Sequence, residues 1–324
     1  MSLLGMKYFL VAAEELNFTA AAKRLYVTQQ TLSAHIRRLE QEYQVTLFGR
    51  KPRLHLTPEG ERMVKYATRI IRLERVMSAE FADLDRTSKG VLSLGISRMR
   101  ARLFFSRIWD AYRKQFPNIE IHLSEAAAST LEKLLASHKA DMCIGIEIRP
   151  APALHRIPLL RETVHLAVPK ELFRAHYGEN AAAAARAFAG GVPVERLPDL
   201  PLLLPPSVNR IRRLLDQQFD SVDRIARPVF ESNDQELLIS MCESGVGQAF
   251  LPASSLFYAP SGPERLERIY AFPLRGLEIE TVLGYPADLE PPHYAQAFLQ
   301  SCRAVFEDAG EQIRRRSAEY LETL

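Results

Sequence analysis

Residues 17–40 read NFTAAAKRLYVTQQTLSAHIRRLE. Asn17-Phe18-Thr19 interrupts the helix before it and offers a side-chain cap for the next one. Ala20 to Leu25 predicts a short helix, rich in Ala, whose backbone a neighbour can approach closely. Tyr26-Val27-Thr28 predicts a tight turn, with Thr28 as the N-cap of a helix that starts at Gln29. In that helix Leu32, Ile36, Leu39 and Tyr43 form one stripe. At about 100° per residue, Gln30, Ala34, Arg37 and Gln41 face the other way, with Ser33 on the flank.

A short helix, a turn and a longer helix with a polar, cationic outer face make a helix-turn-helix. The chemistry suits DNA. Amide and hydroxyl groups at Thr28, Gln29, Gln30, Thr31 and Ser33 stand near the start of the second helix, where side chains reach base edges in the major groove. Arg37 and Arg38, further along, suit phosphate, which sets affinity where base contacts set specificity. His35, near the helix flank, either touches phosphate or packs. Any helical hairpin shares this spacing, so the surroundings have to decide.

Upstream, Met6, Phe9, Leu10, Ala13 and Leu16 share one helical face. Downstream, Leu54 and Leu56 alternate with polar residues as in a short strand, and Arg50, Lys51 and Arg53 crowd the loop before it. A small hairpin with a cationic tip is a wing, fit to enter a minor groove.

The chain has 324 residues, enough for about two domains at roughly 150 residues each. Its 42 basic and 39 acidic residues leave only +3. That total hides a gradient. Residues 20–56 hold seven basic residues against two acidic ones, and residues 1–90 hold fifteen against ten. The rest carries 27 against 29, so a basic N-terminal module precedes a slightly acidic body. Such asymmetry points to an anionic partner for one part of the chain; random surface scatter is the alternative. Hydrophobic residues at 47% and charged residues at 25% are ordinary for a globular chain, which excludes a disordered tail, a collagen and a disulfide scaffold. No segment reads as a membrane span or signal peptide, and three separated cysteines suit a reducing compartment, so a cytoplasmic location is expected.

Thr57-Pro58-Glu59 starts a helix: a cap, Pro in the first turn, then an acid at the positive end. Neither Pro nor a further Gly after Gly60 interrupts it up to about Asp85. Tyr66, Ile70, Leu73, Met77, Phe81 and Leu84 repeat at spacings of three and four, a coiled-coil-like seam along roughly 40 Å. Packing on the chain's own body is the alternative to a dimer helix that pairs two DNA-binding modules.

From Gly90 strands and helices alternate, which argues for a mainly parallel α/β sheet. Strands are predicted at 91–97, 119–124, 141–146, 202–204, 228–231, 248–252 and near 279–285. Helices are predicted at about 101–115, 130–137, 211–219, 234–244 and 294–307. The Ala- and Gly-rich stretch 178–193 predicts an inserted loop or short helix.

The N-terminal sixty-five residues resemble the DNA-binding domain of LysR-type transcriptional regulators. The resemblance is carried by Tyr8-Phe9, Ala13 to Thr19, Ala21 to Leu25, Val27-Thr28-Gln29, Leu32-Ser33, Ile36 to Glu40, Leu47-Phe48 and Leu56 to Gly60. The family usually has Pro then Ala at positions 30 and 31, and often a basic residue at 34. Here Gln30, Thr31 and Ala34 stand at those points, where bases would be read. Residues 90 to about 309 resemble the family's effector domain, a periplasmic-binding-protein-like pair of α/β subdomains, most clearly in Gly90 to Gly95, Phe116 to Ile121, Asp141 to Gly145 and Gly245 to Pro252.

The resemblance implies an α+α/β architecture. A winged helix-turn-helix spans 1–58 and a dimerising linker helix 59–89. An effector-binding domain spans 90–309, with one subdomain at about 90–163 plus 272–309 and the other at about 164–271. Residues 310–324 form an amphipathic tail. It implies a bacterial regulator that assembles as a homodimer or homotetramer, binds an interrupted palindrome in double-stranded DNA, answers a small-molecule effector and works on RNA polymerase.

Ligands in open α/β sheets bind at the carboxyl ends of strands, between subdomains. The candidates there are Ser97, Arg98, Met99, Arg100, Ser129, Thr130, Glu147, Ser207, Ser232, Asn233, Gly247 and Phe250. Arg98 and Arg100 stand where the family usually has small polar residues, so one of them is expected to pair with a carboxylate or other anion. A subdomain salt bridge is the alternative.

No phosphate-binding glycine loop, zinc-protease motif or complete dinucleotide fingerprint occurs. Gly245-Val246-Gly247 reads as a close strand approach. The cysteines lack metal spacing, and Cys143 and Cys242 read as small core residues. No catalytic residue, metal or cofactor is expected beyond the effector. The competing reading is a small-molecule-binding or enzymatic α/β protein whose N-terminal helices serve only oligomerisation. The wing cations and Gln29 to Ser33 argue against it.

Overall fold

The structure, a computed structural model, describes residues 2–49, 51, 53–84, 90–288 and 290–324. The N-terminal module contains α1 (Leu3–Glu15), α2 (Phe18–Arg24) and α3 (Gln29–Tyr43), then the antiparallel pair β1 (Phe48–Gly49) and β2 (His55–Leu56). Its helices begin where side chains can cap them. The Asn17 carboxamide oxygen accepts from the N–H groups of Thr19 and Ala20, so α2 starts two residues before Ala20. The Thr28 hydroxyl accepts from the Thr31 N–H at 3.1 Å. Each such cap stabilises a helix by about 1 kcal/mol.

Met6, Phe9, Ala12, Leu32, Ile36 and Leu39 fill the core of the module. The Phe48 ring sits 5.5 Å from Phe9 and 5.2 Å from Phe18, so the hairpin is anchored to both helices. Tyr43, expected in the buried stripe, is exposed: it stands on the last residue of α3, where Gln44 turns left-handed and the chain leaves the helix.

The linker helix α4 (Pro58–Leu84) runs for 27 residues. The Thr57 hydroxyl accepts from the Gly60 N–H at 2.9 Å. A Cβ on Gly60 would overlap the Leu47 carbonyl, so this crossing of helix and hairpin requires glycine. The helix has two apolar faces. Ala67 and Ile71 are buried in the core of the N-terminal module and Val76 beside Leu92 and Met142 of the body, whereas Tyr66 is 62% and Phe81 60% exposed, with Leu73 and Met77, also exposed, lying between them along the helix. The predicted seam is therefore left open by this chain, except that Ile70 is half-buried. The side chain of Leu84 lies outside the described residues. Beside the buried face, Arg72 reaches Asp288 at 3.3 Å and Asp141 at 3.6 Å, and Lys139 reaches Glu14 at 3.2 Å.

The body holds β3 (Gly90–Ile96), α5 (Arg98–Arg100), α6 (Ser106–Arg113), β4 (Ile119–Glu125), α7 (Ala128–Ala136), β5 (Met142–Ile146) and β6 (Leu154–Pro169). It continues with α8 (Lys170–Tyr177), α9 (Ala181–Ala189), β7 (Leu202–Leu204), α10 (Arg210–Asp220), β8 (Pro228–Glu231), α11 (Gln235–Glu243) and β9 (Gln248–Pro252). It closes with α12 (Ala253–Phe257), α13 (Gly262–Arg268), β10 (Ile269–Pro286) and α14 (His293–Glu322). The helix expected over 101–115 is broken up: a π-helical turn at Ala101–Phe105 joins α5 to α6.

The strands form one sheet in the order β4-β3-β5-β10-β6-β9-β7-β8. Its two flanks are parallel, as expected. Its centre is not: β6 and β10, 16 and 18 residues long, run antiparallel through both subdomains. Pro158, Pro273 and Gly276 hid these as single strands, because such residues normally end one. The ladder between β6 and β10 shifts register between Pro273 and Glu278, where the chain crosses back to the first subdomain.

Successive strand residues face opposite layers. Ala167, Ala249 and Ala271 belong to a face covered by α6, α11, α12 and α14. Leu166, Phe250 and Phe272 belong to the other face, under α8, α9 and α10, while α7 covers that side of the first subdomain. The segment expected as an amphipathic tail, 310–324, continues α14 as far as Glu322.

Among the described residues no helix is long and apolar enough to cross a membrane, and no group of His, Cys, Asp or Glu is arranged to hold a metal.

Candidate functional site

Two sites emerge. At the N-terminal module, α3 presents Gln29, Gln30, Thr31, Arg37 and Arg38 to solvent on one outer surface. The exposed Gln29 is steered by its neighbour: the Thr19 hydroxyl lies 3.3 Å from its carboxamide oxygen. Thr28 spends its hydroxyl on the cap and on Thr31, 2.8 Å away, so it shapes the helix start as well as facing outward. Ser33 is half-buried on the flank. His35 is half-buried, its ring edge-on to Tyr8 at 4.9 Å.

On the hairpin Lys51 and Arg53 are exposed, and Arg50 lies outside the described residues. Among the described residues Arg37, Arg38, Lys51 and Arg53 have no acidic partner, whereas Arg24 is held by Glu14 and Glu15 at 3.1 and 2.9 Å. The cationic groups of α3 and the wing are thus free to meet phosphate. Tyr26, which no sequence pattern singled out, is 97% exposed in the turn before α3 with φ of 54°.

The second site is a cleft of about 320 Å3 between the subdomains. From the candidates it brings together Ser97, Arg98, Met99, Ser129, Ser232, Asn233 and Phe250, which come from strand ends and the loops after them. The Ser97 hydroxyl is buried with no hydrogen-bond partner among the described residues. Arg98 lies 3.6 Å from Glu125, and both are largely exposed.

Five candidates do not line the cleft. Arg100 is fully buried: its guanidinium donates to Glu162 at 2.7 Å, to the Thr281 hydroxyl at 2.9 Å and to the Ser254 hydroxyl at 3.0 Å. The salt-bridge alternative therefore describes Arg100. Glu147 turns left-handed (φ 50°) and accepts the Glu280 N–H at 2.8 Å, which ties it to β10. A Cβ on Gly247 would overlap the Pro201 carbonyl, so this glycine serves strand packing. Thr130 is exposed on the first turn of α7, outside the cavity wall. Ser207 also lies outside that wall, where its carbonyl accepts from Arg213.

Sequence reasoning missed Arg102, Arg210, Arg213 and Asn209, which do line the cleft. They lie within the helices after strand ends or just before them, and a reading that stopped at strand termini passed over them. Arg210 also closes the cleft on one side. It reaches from the second subdomain to Glu132 on α7 at 2.7 Å, and Arg149 holds the same carboxylate at 2.8 Å. Burial disfavours the Glu132 charge, but hydrogen bonds from the Arg149 side chain and backbone and the charge of Arg210 outweigh it. Its carboxyl therefore titrates below the usual range.

Comparison with known proteins agrees with this geometry. The model for the LysR substrate binding domain matches residues 85–307, and that for the lysR-family bacterial regulatory helix-turn-helix protein matches residues 3–61. The chain is a LysR-type transcriptional regulator. It is 28% identical over 300 residues to the HTH-type transcriptional regulator AlsR of Bacillus subtilis (strain 168), covering 90% of this chain and 92% of that one. Its fold is shared with a full-length OxyR variant from Pseudomonas aeruginosa (TM-score 0.69, 23% identity, 96% and 97% coverage). It is also shared with full-length CbnR in complex with its target DNA (TM-score 0.60, 19% identity, 94% and 100% coverage).

Within this LysR-type regulator the thiols are poorly placed for chemistry. Cys143, Cys242 and Cys302 are buried, and burial pushes Cys143 and Cys242 up to about 12 and Cys302 higher still. Only the thiolate reacts readily, so these residues pack. His165 is likewise buried beside Phe257, and desolvation lowers it to about 4, leaving it neutral near pH 7.

Proposed function

We propose that the regulator reads DNA with Gln29, Gln30, Thr31 and Ser33, with Tyr26 beside them, and grips phosphate with Arg37, Arg38 and the wing cations. Two copies would pair through the open seam of α4, so that two half-sites of an interrupted palindrome are bound together; a pair of such dimers would extend the contact. The effector is a small anion with an apolar body. The cleft lining carries this reading: Arg98, Arg102, Arg210 and Arg213 against the carboxylates Glu125 and Asp234, around apolar walls from Met99, Ile146, Leu238 and Phe250. Asp234 is further committed to capping α11. That leaves Arg102 as the cation with the fewest internal ties and the Ser97 hydroxyl as a free hydrogen-bonding group.

The ligand would be bound rather than transformed. Among the described residues the lining holds no His or Cys, and its carboxylates are engaged by Arg98 and by the α11 N-terminus. Its binding would shift the subdomain pair, and with it the spacing of half-sites and the access of RNA polymerase, in the cytoplasm.

The direct test is calorimetry of the full-length chain with a panel of small carboxylates headed by benzoate, repeated with Arg102→Ala. A salt-dependent affinity that falls several-fold in the variant supports the reading. Binding that ignores Arg102 removes the anion from it. Footprinting on the DNA upstream of the regulator's own coding region tests the DNA half.

A further inference from the structure

The family match ends at residue 307, yet α14 continues to Glu322. Its first half belongs to the first subdomain. Phe298 meets Tyr112 edge-on at 5.2 Å, and Phe306 packs on Phe104 at 4.3 Å. Its last turns reach elsewhere. The Arg316 guanidinium donates to the Phe257 carbonyl on α12 at 3.0 Å, and the Tyr320 ring lies 5.8 Å from the Phe257 ring. The Tyr320 hydroxyl accepts the Ala271 N–H at 3.1 Å. Leu324 packs against the core beneath α8, α9 and α10.

Ala271 explains why a hydroxyl is needed there. On β10 it pairs with Ala167 of β6 on one side, while β5 pairs only with residues 281–284 of β10. The Ala271 N–H faces the side that β5 does not cover, and Tyr320 takes the place of the missing strand. Burial holds the Tyr320 phenol up at about 12, so it stays a neutral hydroxyl. The short helix α12 is thereby tied twice: Ser254 joins the Arg100–Glu162 pair, and Phe257 joins Arg316.

We propose that the last turns of α14 brace the hinge, with Arg316 and Tyr320 as positioning residues that fix the angle between the subdomains and so the resting width of the cleft. A helix anchored at one end to the first subdomain and at the other to α12 and β10 resists bending at the register shift of β6 and β10. Among the described residues no cleft-lining residue lies on α14, so it acts from outside the cavity and is not a lid. The regulatory meaning of the brace rests on the cleft being the effector site; its mechanical effect does not.

The test places spin labels at Ser137→Cys on the first subdomain and Gln217→Cys on the second in the full-length chain. The three native cysteines are buried and will not compete for label. Distances are measured without any ligand, in the unaltered brace, in Arg316→Ala/Tyr320→Phe and in a chain ending at Arg315. A narrow distribution that broadens or shifts in the altered chains is expected. Loss of one hydrogen bond redistributes two arrangements by about 2- to 10-fold. Identical distributions in all three overturn the brace. If the shortened chain fails to fold, Tyr320→Phe alone decides, since it removes one oxygen. A benzoate titration of the same samples separates the two ideas. Broadening without any ligand binding keeps the brace and removes the effector reading.

Discussion

The two ends of this molecule use arginine in opposite ways. On α3 and the wing, Arg37, Arg38 and Arg53 stand exposed, without acidic partners among the described residues. At the cleft Arg98 stands beside Glu125, Arg210 is held by Glu132 and Arg213 by two backbone carbonyls, while Arg100, which does not line the cleft, is held by Glu162 in the interior. Free cations suit a partner that brings its own regular array of charge. Committed cations suit a site whose shape must be kept until a small ligand arrives. The same residue type thus signals contact at one end and architecture at the other, and only burial and pairing tell the two apart.

The sharpest way to break that contrast is at Arg100. Arg100→Met leaves the Glu162 carboxylate buried and unpaired, and should cost about 3–5 kcal/mol of stability in chemical denaturation. Replacing both as Arg100→Met/Glu162→Met should recover most of the loss. A single variant as stable as the parent would mean that Arg100 is not architectural.

At the other end, Arg37→Ala/Arg38→Ala should leave the melting temperature nearly unchanged. It should weaken DNA binding on the order of 10-fold or more, and flatten the salt dependence by roughly one unit for each phosphate no longer neutralised. A loss of fold, or an unchanged slope, would erase the distinction. Thr28→Ala should be milder, costing about 1 kcal/mol through the cap, with thermal denaturation as the readout.

The smallest effect concerns pH. The Glu132 carboxyl titrates below its ordinary value of 4.5 when folded, so its pairing with Arg149 and Arg210 contributes at neutral pH and is lost as pH falls below that value. The difference in melting temperature between the parent and Glu132→Gln should therefore be present at pH 7 and shrink once pH drops below about 4.5. A gap that persists in acid would place the stabilisation elsewhere.

The same contrast explains what could be read in the chain. The DNA-binding module is local: Asn17, Thr28 and the Leu32–Ile36–Leu39 stripe act within one or two turns, so caps and periodicity locate its helices nearly to the residue. The outward position of Gln30 and Arg37 follows from the same geometry. The cleft is assembled from strand ends as far apart in the chain as Ser97 and Phe250, and no local pattern separates Arg98, which lines it, from Arg100, which does not. Those two differ by half a helical turn, enough to reverse their surroundings. The central strands β6 and β10 stayed hidden because Pro and Gly within them mimic strand ends. The reach of α14 stayed hidden because its anchor points, Phe257 and Ala271, lie far back in the chain.

On the proposed reading, a local cationic surface, and not the near-neutral total charge, lets this chain read DNA. Fluorescence anisotropy of the full-length protein on its own upstream DNA, across a range of salt concentrations, tests that most directly. A sequence-preferring complex whose log affinity falls linearly with log salt, with a slope that implies several neutralised phosphates, is the predicted result. No sequence-preferring complex at low salt would contradict it.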